Sequence, residues 1–128
     1  MIPIIEEEDF DTVLSEMSRI GFIGNYEIFI RTDDPGKYPH FHIWDRETRG
    51  QKFHTCVRLD DAKYFHHTGK EGVLNSKERK SLVAFLKLKH KYLEISNWMY
   101  LINEWNNNNS DVELDMNLLM PDYLNLKD

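Results

Sequence analysis

The string Pro39-His40-Phe41-His42 carries the most distinctive chemistry in this chain. Two histidines at i and i+2 point to the same side of an extended strand, and His54 and Cys56 repeat that spacing further along. If the two segments pair, three imidazoles and a thiol converge, a donor set suited to a transition metal such as Zn2+. His40, His42 and His54 are therefore the candidate metal ligands, with Cys56 beside them. Cofactor-free chemistry accounts for the same string, because histidines also hydrogen-bond to one another across a polar sheet face.

Aromatic and cationic residues interleave with these histidines. Phe29, Arg31, Trp44 and Arg58 share the expected strands, so Phe29, Arg31, His40, His42, Trp44, His54 and Arg58 form a candidate binding surface. Trp, Phe and Arg are what protein interfaces use. The same rings can stack an unpaired base while guanidinium groups hold phosphate. Catalysis has less support: Cys56 and His42 make the single thiol–imidazole pairing, and Thr55, Thr68, Ser76 and Ser81 sit in no motif that exposes a nucleophile. No Walker loop, dinucleotide fingerprint, HExxH or GxSxG string occurs. A metal-dependent hydrolase or nuclease centred on His40, His42 and His54, with Arg31 and Arg58 on a phosphate, is the catalytic alternative.

Positioning these residues requires strands. Tyr26, Ile28 and Ile30 alternate with Glu27, Phe29 and Arg31, and Asp33-Asp34-Pro35-Gly36 reads as a turn. Two further strands, about residues 40–45 and 53–59, flank Glu47–Gln51, where a three-residue loop with Gly50 in the left-handed position is expected. That loop sets Phe41 opposite Val57, Ile43 opposite Thr55, His40 opposite Arg58, His42 opposite Cys56 and Trp44 opposite His54. A turn closed by Asp34 and Lys37 then adds Ile28 and Ile30 to the apolar face, and Glu27, Phe29 and Arg31 to the polar one. Residues 60–72 read as an edge element.

Helices supply the cover. Asn75 with Glu78 resembles a capping box opening a helix to about Lys89, with Leu82, Phe85, Leu86 and Val83 inward. Ser96 opens another, with Trp98, Leu101, Ile102 and Trp105 on one face and Asn106–Asn109 at its end. Phe10, Val13, Leu14 and Met17 predict a short N-terminal helix stopped by Gly21. The fold class expected is α+β: a small antiparallel sheet of three to four strands with helices packed on one face. Residues 1–110 form that single domain, and 111–128 form an acidic but apolar tail that docks on the domain or a partner.

Composition bounds the function. A chain of 128 residues makes one domain, and its 41% hydrophobic content supports a core. One cysteine excludes an intrachain disulfide and a cysteine-rich zinc finger. No apolar run is long enough to span a bilayer, and Met1–Glu8 turns acidic where a signal peptide would be basic, so a cytoplasmic protein without membrane association is expected. The net charge of -6 is unevenly spread. Both ends are acidic, whereas Lys77, Arg79, Lys80, Lys87, Lys89 and Lys91 crowd one stretch and make it the candidate contact for nucleic acid.

The Tyr26–Arg31 strand, the Asp-Asp-Pro-Gly turn, Pro39-His40-Phe41-His42 and the basic helix after Asn75 together resemble a group of small bacterial proteins of unknown function. These carry a Pro-His-Phe-His hairpin followed by helices, often in toxin–antitoxin-like cassettes. The resemblance implies a non-enzymatic binding or regulatory protein that acts on a protein partner in a toxin–antitoxin, phage or defence setting. The chain differs from that group in its acidic N-terminal stretch, the length between Arg58 and Asn75, and the tail. Self-association into a homo-oligomer is also compatible with the interface-like composition.

Overall fold

A computed structural model describes residues 17–31, 38–65 and 72–126. Its core is a four-stranded antiparallel meander, β1 (Met17–Ile23), β2 (Tyr26–Arg31), β3 (His40–Asp45) and β4 (His54–Arg58), ordered β1-β2-β3-β4. Two helices follow, α1 (Ser76–Lys87) and α2 (Asn97–Asn108), with 3-10 turns at Ser110–Val112 and Tyr123–Asn125. The protein is thus a small α+β domain.

Alternation of side chains fixes the sheet. Glu27 pairs with Trp44, Ile28 with Ile43 and Phe29 with His42, while His40, Phe41, His42, Ile43 and Trp44 pair with Arg58, Val57, Cys56, Thr55 and His54. Any one-residue slip would exchange the apolar set for the polar set on a whole strand. Ile28, Ile30, Phe41, Ile43 and Val57 enter one core with Leu82 and Leu86 of α1 and Leu101, Ile102 and Trp105 of α2. Both helices are capped as their sequences require. Asn75 and Glu78 exchange backbone bonds at 2.8 Å each, and Ser96 accepts from the Met99 N–H at 3.1 Å.

Two expectations need correction. Residues 46–52 make a longer loop between β3 and β4, closed at Asp45 rather than at Glu47 and Gln51. The Asp45 carboxylate accepts from the N–H groups of Thr48 (2.8 Å), Gly50 (3.1 Å) and Phe53 (3.1 Å), with Arg49 and Gly50 both left-handed at φ 52° and 85°. Gly21 ends no helix. It lies inside β1, beside a bulge, and a Cβ there would come within 2.4 Å of the Phe85 ring of α1. The turn Asp33–Gly36, residues 10–16 of the expected N-terminal helix and His66-His67 lie outside the described residues.

After α2 the chain runs back over the helical layer. The indole N–H groups of Trp98 and Trp105 donate to Leu118 O and Val112 O at 2.9 Å each, and the Asn106 amide exchanges two bonds with the Leu114 backbone. Tyr123 is fully buried, with its hydroxyl donating to Arg58 O at 3.0 Å. Between β4 and α1, Tyr64 forms a single bridge to Val57, and its hydroxyl accepts from Leu74 N–H at 2.7 Å.

Two outcomes follow from these bonds. Desolvation acts to raise the Asp45 pKa, but the bonds from Thr48, Phe53 and Gly50 outweigh it and hold the carboxyl at about 2. Its stabilising contribution is complete above the ordinary carboxyl value of about 4 and is lost as pH falls toward 2. Asp45→Asn should lose about 1–2 kcal/mol near neutral pH, and its urea midpoint should fall less than that of the parent between pH 5 and pH 2. Among the described residues Thr55 Oγ1 is a buried hydroxyl with no hydrogen-bond partner. Thr55→Val should therefore raise the thermal midpoint, with a gain of up to about 1 kcal/mol.

Candidate metal centre

The second face of the sheet gathers the polar side chains as the pairing dictates. His40 and His42 project from β3, and His54 and Cys56 from β4. His42 Nδ1 lies 3.2 Å from Cys56 Sγ and 2.8 Å from His54 Nε2. His40, His42 and Cys56 each bring one donor atom within 4.8 Å of the others, and all three are buried. His54, half-buried, lies outside that group and joins it only through its bond to His42.

Neighbours orient these rings. The His40 Nδ1–H donates to Tyr38 O at 2.7 Å, so in the neutral ring Nε2 carries the lone pair. Ligating histidines are commonly fixed this way, by giving the other ring N–H to a carbonyl. Phe29 stacks on His42 with centroids 4.9 Å apart, and Phe65 lies against His40 at 4.8 Å. Glu27, also buried, pairs with Arg19 of β1 and accepts the Trp44 indole N–H at 3.1 Å.

The ligand spacing suits an ion. Around a tetrahedral Zn2+ with ordinary bond lengths, donor atoms stand roughly 3.3–3.6 Å apart. The His42–Cys56 separation of 3.2 Å is close to that, whereas the His42–His54 separation of 2.8 Å is a hydrogen-bond distance, too short for two ligands of one ion. Chemically, the site offers two imidazoles and one thiol, all buried, with Phe29 stacked on His42 and His54 at the rim.

Every residue of the expected binding surface falls on this face, but the face is not open. Phe29, His40 and His42 are fully buried and Trp44 nearly so, while Arg31, His54 and Arg58 are half-buried. Phe29 and Trp44 therefore have no free ring face for a base, since they pack against each other at 4.6 Å. Arg58 is engaged by its own chain: it makes two 2.9 Å bonds to Asp60, an ion pair to Asp61 at 3.3 Å, and lies over the Tyr38 ring at 4.1 Å. The Asp60 bond raises its pKa further, and no phosphate role is left for it. Elsewhere Arg79 is held by Leu74 O and Leu124 O, and Lys89 by Glu94 at 2.6 Å, whereas Lys77, Lys80, Lys87 and Lys91 are exposed.

Sequence reasoning missed Arg19, Tyr38 and Phe65 as supports of the cluster. The Gly24-Asn25 step between apolar runs is the hairpin signal that would have made Met17–Ile23 a strand, whereas the bulge between Arg19 and Gly21 that turns Arg19 to the Glu27 side has no such signal. No protein-family model matches the chain, and no curated protein or solved structure matches it. Among the described residues no helix is long and apolar enough to cross a membrane.

Glu27 is the test of how tightly this face is built. Glu27→Ala strands the buried Trp44 N–H and should cost about 1–3 kcal/mol. Glu27→Gln retains an acceptor and should cost less, both read by urea denaturation.

Proposed function

We propose that the protein is a non-enzymatic binding protein whose sheet is fastened by one transition-metal ion, Zn2+ by ligand type. His40, His42 and Cys56 hold the ion, and His54, bonded to His42 at the edge of the group, is the side chain available for the fourth position. The observation that carries this reading is the approach of three buried donors from two strands, with a carbonyl fixing the His40 tautomer. Three buried donors are in place; a structural ion takes a fourth from the protein, whereas a catalytic ion keeps that position open for water, so the position of His54 decides between them. The engagement of Arg58 with Asp60 and Asp61 disfavours the hydrolase and nuclease alternative.

The ion stabilises the fold, and output comes from contact with a partner. The protein partner, and its toxin–antitoxin, phage or defence setting, rest on the resemblance carried by Pro39–His42. A partner contact away from the sheet is compatible with the burial of that face.

Elemental analysis of untagged protein should find about one equivalent of zinc per chain. Added Zn2+ should raise the melting temperature of metal-stripped protein, His42→Ala should abolish the rise, and Co2+ substitution should give a thiolate charge-transfer band that Cys56→Ser removes. Protein with well under stoichiometric metal, whose melting ignores Zn2+ and Co2+, would reduce the cluster to a hydrogen-bond network and end this proposal.

A further inference from the structure

Outside the cluster, the strongest unassigned feature is a row of cations. Lys77, Lys80 and Lys87 are all exposed and fall within about 80° of one another around α1 at 100° per residue, spanning about 15 Å of helix. The residue between them on that stripe, Ala84, is exposed and small, so nothing bulky interrupts it. Among the described residues these three lysines make no ion pair. The stripe itself carries no carboxylate, because Glu78 is turned back to cap the helix. In a chain of net charge -6, an unneutralised linear row of this kind is the exception that needs a ligand.

The row runs into a built platform. Residues 88–96 form a tight loop in which His90 N–H donates to Ile95 O at 2.7 Å and Asn97 N–H to Leu88 O at 2.8 Å. The Tyr92 N–H donates to His90 Nδ1 at 3.1 Å, and the His90 ring packs on Tyr100 at 4.4 Å. Tyr92 is thus held at its backbone while its ring is 79% exposed, with Lys91 Nζ 5.3 Å from the ring centroid. An anchored tyrosine facing solvent beside four exposed cations offers what a single strand takes: point charges along a backbone and a face for a base.

We propose that the exposed flank of α1 and the loop after it bind single-stranded nucleic acid, with Lys77, Lys80 and Lys87 on successive phosphates and Tyr92 stacked on an unpaired base. A linear polyanion fits better than an anionic membrane surface. Leu88, Tyr92 and Leu93 project only at one end of the row, so a chain inserting them would carry Lys77 and Lys80 away from the headgroups. No metal ligand takes part, so this proposal and the metal reading stand or fall separately.

Fluorescence anisotropy of the full chain with labelled oligouridylate, oligothymidylate and a duplex, each of about 12 nucleotides, tests it. Three phosphate contacts on a single strand should weaken binding about 20-fold between about 50 and 200 mM salt. The triple variant Lys77→Gln, Lys80→Gln, Lys87→Gln should abolish most of that slope, with its far-ultraviolet spectrum and melting unchanged because all three positions are exposed. Tyr92→Ala should weaken binding about ten-fold without altering the slope, and the duplex should bind less well than either single strand. The proposal is overturned if neither single strand binds at the lower salt, or if the duplex binds equally and Tyr92→Ala has no effect. Binding to phosphatidylserine vesicles without binding to either oligonucleotide would likewise overturn it and assign the tip to a lipid surface.

Discussion

A polar group withdrawn from water must find its hydrogen bonds inside the protein, and on the second face of this sheet the partners are one another. Glu27 takes Arg19 and Trp44; His42 takes His54 and Cys56; His40 takes the Tyr38 carbonyl. Each bond crosses from one strand to the next or to its flank. The face therefore has little tolerance for a shifted strand, because a slip would separate every pair that crosses to it. Packing of Ile28, Ile30, Phe41, Ile43 and Val57 on the other side demands the same alignment. Apolar and polar requirements agree on a single register, which is why so small a sheet can be specific.

Much of that alignment was legible in the residues. The alternation in Tyr26–Arg31 and the positions of Phe41, Ile43, Thr55 and Val57 were enough to pair three strands, and the pairs found are those the alternation dictates. Both helix starts were equally plain, since Asn75-x-x-Glu78 and Ser96 supply the caps that orphan N–H groups need. β1 was hidden by an accident of spacing. Phe10, Val13, Leu14 and Met17 follow a helical period, and extending it to Gly21 concealed the two-residue Gly24-Asn25 turn that makes Met17–Ile23 a strand.

Burial of the polar face was not legible. Residue types reveal which side of a strand a histidine occupies, and they say nothing about whether that side meets water. The same gap explains the arginines: Arg58 and Arg79 look like phosphate ligands until Asp60, Asp61 and two carbonyls are found to hold them. Cations in local sequence clusters are sorted by their tertiary neighbours. Here the sorting leaves a subset of the basic stretch, on one flank of α1, without a counter-charge among the described residues.

The three tryptophans are divided between the layers. Trp44 and Trp105 both lie against the cluster, with His54 5.5 Å from the Trp44 ring and His40 5.6 Å from the Trp105 ring, whereas Trp98 lies under the returning C-terminal segment and is bonded to its Leu118 carbonyl. Imidazolium and bound transition ions quench indole emission by contact, and a lifted segment would let water reach Trp98. The molecule therefore contains two separate optical gauges. Time-resolved fluorescence of single-tryptophan variants can follow the chemistry of the cluster and the seating of the C-terminal segment independently, with no label attached.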